Sequence, residues 1–209
     1  MPTPVPFPLP ADALRGRIAV VTGASRGLGA GMAARFAEHG LALALCARSE
    51  PPVPPGADAD RTVCRRLDVA DPAAMEAFAD EVVERLGPID LWVNNAGVLE
   101  PMGPQRDHDP AAVERALLVN VGGVMSGSRA FTRRARGWPA APRVLVNISS
   151  GAARSVYEGW SVYGATKAAV EHHTRITDAE EPGVRCRAVA PGVVDTDMQV
   201  RIRTHDEHG

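Results

Sequence analysis

The sequence predicts an α/β fold: one doubly wound parallel sheet with helices on both faces. Three observations point there. Short apolar runs alternate with helical segments along nearly the whole chain. A glycine-rich turn, Gly23–Gly29, follows the first of those runs. Chemically distinctive residues (Gly23, Asn95, Ser150 and Pro191) each stand just after a strand, and open parallel sheets bind ligands at that end of their strands.

Arg17–Thr22 (RIAVVT) reads as the first buried strand. A helix follows from about Leu28 to His39, and Gly40 suits its C-terminal turn. Leu41–Ala47 is the second strand. Ser49–Asp60 is too rich in proline to hold much helix. Arg61–Leu67 is the third strand. Asp71-Pro72 opens the next helix, with Asp as cap and Pro at the first position, and Gly87-Pro88 stops it. Ile89–Asn94 is the fourth strand and Pro110–Arg136 a long helix. Arg143–Ser149 is the fifth strand, Ser161–Ala179 a helix, and Val184–Ala190 the sixth strand.

The 209 residues make one domain long enough for a full core. A net charge of −2 gives no case for nucleic acid or an anionic membrane as partner. No apolar run reaches membrane-spanning length. Cys46, Cys64 and Cys186 lack metal-like spacing and lie in apolar runs, which reads as buried, reduced thiols and suits a cytoplasmic location. Residues 1–14 read as a proline-rich, flexible arm and 15–209 as the domain. His172 and His173 read as solvated or packing residues rather than ligands.

Thr22–Gly29 (TGASRGLG) joins a strand to a helix. Glycine lets the backbone come close to a pyrophosphate, and the helix N-terminus offers free N–H groups. No acid ends the second strand, where a site for an unphosphorylated ribose usually places one. Arg26 and Arg48 are suited instead to a 2′-phosphate, so NADP(H) is expected over NAD(H).

Tyr163 and Lys167 lie four residues apart in YGATK, on one face of a predicted helix. An ammonium beside a phenol favours the phenolate, so Lys167 is expected to lower the pKa of Tyr163. By itself the pair also fits an ordinary surface helix.

Together these residues resemble the short-chain dehydrogenase/reductase family, and the resemblance runs from about Arg17 to Met198. Gly23, Ser25, Arg26, Gly27, Leu28 and Gly29 match its cofactor loop. Asp68-Val69 resembles its adenine-contacting pair. Asn94–Gly97 (NNAG), with Asn95, Ala96 and Gly97, matches the motif after the fourth strand. Asn120, Ser150, Tyr163 and Lys167 match the catalytic residues, and spacing to the tyrosine selects Ser150 over Ser149. Pro191, Gly192, Val194 and Thr196 lie in a stretch similar to the segment that holds the nicotinamide carboxamide. The connection before Pro191 is similar to that of the sepiapterin reductase and benzil reductase branch.

The resemblance implies a Rossmann-type fold and hydride exchange between nicotinamide and a carbonyl or secondary alcohol. Tyr163 would be the general acid/base, Ser150 would hold the substrate oxygen, Lys167 would bind the ribose, and Asn120 would position a water. It also implies a small-molecule substrate, no metal, and a homodimer or homotetramer formed through the two long helices. A substrate-covering lid and a seventh strand, usual in the family, are expected to be missing after Gly192. Two alternatives stay open: an alcohol dehydrogenase working oxidatively, and an NADP(H)-binding sensor or scaffold with little turnover.

Overall fold

A computed structural model describes residues 14–138 and 143–192. The arm expected over 1–14 therefore falls almost wholly outside the described residues, as do Val194 and Thr196. Six strands form one parallel sheet: β1 (Ile18–Thr22), β2 (Ala42–Ala47), β3 (Thr62–Arg66), β4 (Leu91–Asn94), β5 (Val144–Ile148) and β6 (Arg185–Val189). Their order across the sheet is β3-β2-β1-β4-β5-β6. The order reverses direction between β1 and β4, which opens a crevice at the carboxyl ends of the strands.

The helices are α1 (Gly27–Glu38), α2 (Pro72–Leu86), α3 (Pro110–Leu117), α4 (Gly123–Ala135) and α5 (Ser161–Glu180). Asp71 caps α2 by accepting from the Ala73 and Ala74 N–H groups, and Pro72 takes the first position as expected. Asp109 and Pro110 repeat the device at α3.

Every residue of β1 and β2 is buried, because helices cover both faces of a central parallel strand. Alternation sends Val20, Ala44, Val63, Trp92 and Leu145 to one face. There they pack with Met75, Phe78 and Val82 of α2 and Phe131 of α4. Ala19, Val21, Leu43 and Leu45 face the other way, onto Ala33 and Ala37 of α1. The proline-rich stretch forms no α-helix and ends in a short 3₁₀ turn, Ala59–Arg61.

Among the described residues β6 is an outer strand, with Arg185, Arg187 and Val189 exposed. A cleft of about 320 Å³ beside it is lined by residues that pair with each other, Arg154 with Glu171 and Arg187 with Asp178.

Two expectations need correction. Pro110–Arg136 is not one regular helix: a π-helical turn, Leu118–Gly122, separates α3 from α4. The widened turn carries Asn120, whose side chain leaves the helix to bond another segment. Among the cysteines, Cys46 and Cys186 are buried, but Cys64 on β3 is only partly buried.

Candidate active site

The phosphate loop leaves β1 at Gly23, whose φ is +68°, and Gly23 N donates to the Cys46 carbonyl at 2.7 Å. Ser25 and Arg26 complete the turn, and Gly27 and Leu28 begin α1. Arg26 sits at the cap position in extended conformation, and its side chain does not cap α1. A helix N-terminus entered through a glycine turn presents backbone N–H groups of the kind that bind a phosphate. Gly29 is buried against the strand: a Cβ there would come 2.3 Å from the Gly23 oxygen. No other residue allows this approach of helix to loop.

Asn95 braces the loop from β4. Its Nδ2 donates to Thr22 O at 2.9 Å and Gly23 O at 3.2 Å, while the Asn95 and Ala96 N–H groups donate to Thr22 Oγ1. Asn94 points into the core, accepting from Trp92 Nε1 at 2.8 Å and donating to Asn147 Oδ1 at 2.9 Å. Asn147 in turn donates to Thr174 Oγ1 of α5 at 2.9 Å. This buried chain fixes α5 against the ends of β4 and β5.

Gly97 brings the same segment to the catalytic side. A Cβ on it would stand 3.3 Å from Asn120 Oδ1 and 3.7 Å from Lys167 Nζ. Asn120 is fully buried. Its Oδ1 accepts from Val98 N at 2.8 Å, and its Nδ2 donates to Val98 O at 2.8 Å and to Thr166 Oγ1 at 3.1 Å. Lys167 Nζ donates to Ile148 O at 2.8 Å.

Ser150 begins the loop after β5, and its Oγ accepts from Ala152 N at 3.2 Å. Ser149 turns away, donating from Oγ to Glu171 Oε1 at 3.0 Å. Neighbouring serines thus face opposite ways, and Ser150 is the one whose hydroxyl acts on Tyr163, favouring its phenolate. Tyr163 is 7% exposed and packs with Leu99 and Ala152.

Burial dominates the electrostatics. It pushes Lys167 down to about 8, since the ammonium loses water without a carboxylate to replace it. It also pushes Tyr163 up, against the lowering effect of the Ser150 hydrogen bond. The expected lowering of the Tyr163 pKa by Lys167 is thus not found. The ammonium stands 5.6 Å from the Tyr163 ring centroid and is turned to the Ile148 carbonyl.

The side of the crevice beside β2 and β3 is assembled from strand ends. Arg48 is exposed after β2, and Asp68 and Val69 follow β3, with Val69 buried. Asp68 Oδ2 accepts from Arg115 Nη2 at 2.5 Å and Oδ1 from Ala70 N at 3.0 Å, which together hold its carboxyl below the ordinary value even though burial opposes this. Pro191 and Gly192 follow β6, with Gly192 at φ +74°.

Sequence reasoning missed three features. Arg115 gave no sign of reaching Asp68, because nothing in a helical stretch links it to a loop after β3. Glu171 belongs to no motif in the sequence, yet its carboxylate accepts from Ser149 Oγ and Arg154 Nε. The third is an aromatic row, Tyr157–Trp160–Tyr163, with centroids 5.2 and 5.6 Å apart. Its signal was present as aromatics at intervals of three before the lysine, although Tyr157 and Trp160 precede the helix.

Comparison with known proteins agrees with this geometry. The short chain dehydrogenase family matches residues 17–207. A benzil reductase ((S)-benzoin forming) of Saccharomyces cerevisiae is 36% identical over 201 residues, covering 90% of this chain and 75% of the relative. A short-chain dehydrogenase/reductase structure from Burkholderia vietnamiensis superposes with a TM-score of 0.75 at 36% identity, covering 92% of this chain and 91% of that one. A short chain dehydrogenase of Burkholderia cenocepacia, solved in complex with NADP, gives a TM-score of 0.77 at 31% identity, covering 90% and 78%. With a six-stranded parallel sheet, a phosphate loop and a tyrosine–lysine pair already in place, this chain belongs to the short-chain dehydrogenase/reductase family of oxidoreductases.

Proposed function

We propose that the protein is an NADP(H)-dependent carbonyl reductase, able to run in reverse as a secondary-alcohol dehydrogenase. The observation that carries this reading is the convergence of Ser150, Tyr163 and Lys167. The Ser150 hydroxyl acts on the Tyr163 phenol, favouring the phenolate, and the ammonium lies 5.6 Å from the Tyr163 ring, all at the carboxyl end of the sheet. Nicotinamide, when bound, supplies or accepts the hydride. Ser150 Oγ donates to the substrate oxygen and holds the negative charge that develops there. Tyr163 Oη gives a proton to that oxygen in reduction and takes it back in oxidation. Lys167 holds a positive charge beside the phenol and reaches the ribose hydroxyls. Asn120, next to Lys167 across Gly97, positions a water for return of the proton.

Arg26 and Arg48, together with the lack of an acid at the end of β2, support a 2′-phosphate on the cofactor. Trp160, Leu99 and Met102 pack about Tyr163 and Tyr157 stacks beyond Trp160, an aromatic and apolar surface that suits a carbonyl carrying an aryl or other flat apolar substituent. The benzil reductases among the relatives point the same way. Leu117, Leu118, Met125 and Ile176 are exposed on the helical layer and support self-association as a homodimer or homotetramer. Reduced thiols at all three cysteines suit a cytoplasmic location.

The test is cofactor oxidation, with NADPH and NADH in parallel, over aldehydes, alkyl ketones, aryl ketones and diketones. Turnover of a carbonyl with NADPH preferred is the expected result. A clear NADH preference overturns the cofactor assignment, and binding without turnover across the panel makes the protein a sensor.

A further inference from the structure

Asp68 is paired with the Arg115 guanidinium and leaves the sheet on the strand next to that of Arg48. The register of β2 and β3 aligns Ala47 with Arg66, and Leu67 N donates to Ala47 O at 2.9 Å. Arg48 and Asp68 therefore leave adjacent strand ends close together, and the Arg48 charge is felt at the Asp68 carboxylate. Arg115 approaches the same carboxylate from α3. It donates to Oδ2 at 2.5 Å while Ala70 N donates to Oδ1 at 3.0 Å. Each carboxylate oxygen thus has a donor other than Arg48.

We infer that Arg115 is a positioning residue for cofactor choice: by engaging Asp68, it keeps the Arg48 guanidinium available to a 2′-phosphate. The inference rests on the NADP(H) reading above. A carboxylate one strand away competes with a phosphate for the same arginine. With Arg115 in place the three groups sum to one positive charge, which attracts a phosphate. Without Arg115 they sum to zero, and Asp68 has an open oxygen to offer Arg48. The Arg115 and Asp68 side chains are 39% and 36% exposed, so solvent screens the interaction and the effect is modest. It amounts to about three- to tenfold in affinity at low salt.

Isothermal calorimetry with 2′,5′-ADP and 5′-AMP reads this directly, because the two ligands differ only in the 2′-phosphate. The wild-type protein is expected to prefer 2′,5′-ADP, and Arg48→Ala to lose most of that preference. Arg115→Met should lower the ratio of the two affinities by about three- to tenfold, mainly through 2′,5′-ADP. Adding Asp68→Asn to Arg115→Met should restore the ratio, since the competitor then carries no charge. Any disturbance of adenine binding by that change weakens both ligands alike and cancels. The inference is overturned if Arg115→Met keeps the wild-type ratio, if it weakens both ligands equally, or if the double variant fails to recover. A wild-type protein without preference for 2′,5′-ADP overturns the NADP(H) reading itself. That differs from a preference present in the wild type but indifferent to Arg115.

Discussion

Lys167 donates from Nζ to the carbonyl oxygen of Ile148 at 2.8 Å, tying α5 to the end of β5. The lysine is 4% exposed, and one carbonyl is a poor substitute for the water an ammonium loses. Burial consequently brings its pKa down to about 8. The site holds a strained charge, which is useful to a bound cofactor and costly to the free protein.

That cost has a definite pH dependence. Because the folded-state pKa of Lys167 is lowered, the unfolded chain binds more protons between about pH 8 and the ordinary value near 10.5. Stability from this group therefore rises as pH increases through that window, and the penalty is fully present below it. Lys167→Met removes the penalty and should raise the unfolding temperature at pH 7 while reducing both turnover and cofactor binding. The gain over wild type should shrink as pH approaches 10. Thermal unfolding of both proteins from pH 7 to 10 checks this, and a constant gap would show that the lysine is not charged and buried as described.

Tyr163→Phe tests the chemistry. The ring stays packed against Leu99, Ala152 and Trp160, so only the hydroxyl and its bond to Ser150 are lost. Turnover is expected to fall by roughly 10²–10⁴-fold or more, with NADPH affinity nearly unchanged. Ser150→Ala should lower turnover by a smaller factor, since Tyr163 can still donate its proton. Steady-state rates and fluorescence titration with NADPH separate the two effects. Near-normal turnover in Tyr163→Phe would remove the tyrosine from the mechanism.

The sequence made the fold and the Tyr163–Lys167 pairing legible because both have short-range signals. Buried strands show as continuous apolar runs, Asp71-Pro72 announces a helix start, and Tyr163 and Lys167 are close in sequence as well as in space. What stayed hidden depends on tertiary approach. The π-turn around Asn120 arises because its amide bonds Val98, which lies far away in the chain. Arg115 meets Asp68 across the same kind of gap. The sign of the Tyr163 shift was misjudged because proximity on a helix says nothing about depth of burial. Burial acts more strongly on the phenol here than the Ser150 hydroxyl that opposes it.

Asn120 should prove structural as well as catalytic. It is fully buried and saturates both the N–H and the C=O of Val98. Asn120→Ala leaves both backbone groups unpaired, at a cost of about 2–4 kcal/mol. Chemical denaturation should show the loss as a lower midpoint with unchanged slope. If the midpoint does not move, water has entered to replace the amide, and any loss of turnover then reports on proton return alone.

The aromatic row makes a prediction about selectivity. Trp160 stands edge-on to Tyr163 with centroids 5.6 Å apart, and Tyr157 continues the row at 5.2 Å from Trp160. Tyr157 is half-exposed, so its ring is open to contact on one side. An aryl ketone bound at Tyr163 can extend a flat group along this surface, and a small alkyl ketone cannot. Aromatic contacts of this kind contribute about 0.5–1.5 kcal/mol beyond the area they bury. Tyr157→Ala should therefore reduce kcat/KM for aryl ketones by about three- to tenfold and leave small alkyl ketones nearly unaffected. Tyr157→Phe should retain the aryl preference, because it keeps the ring and loses only the hydroxyl. Equal losses on both substrate types in Tyr157→Ala would mean that the residue supports the loop after Ser150 rather than the substrate.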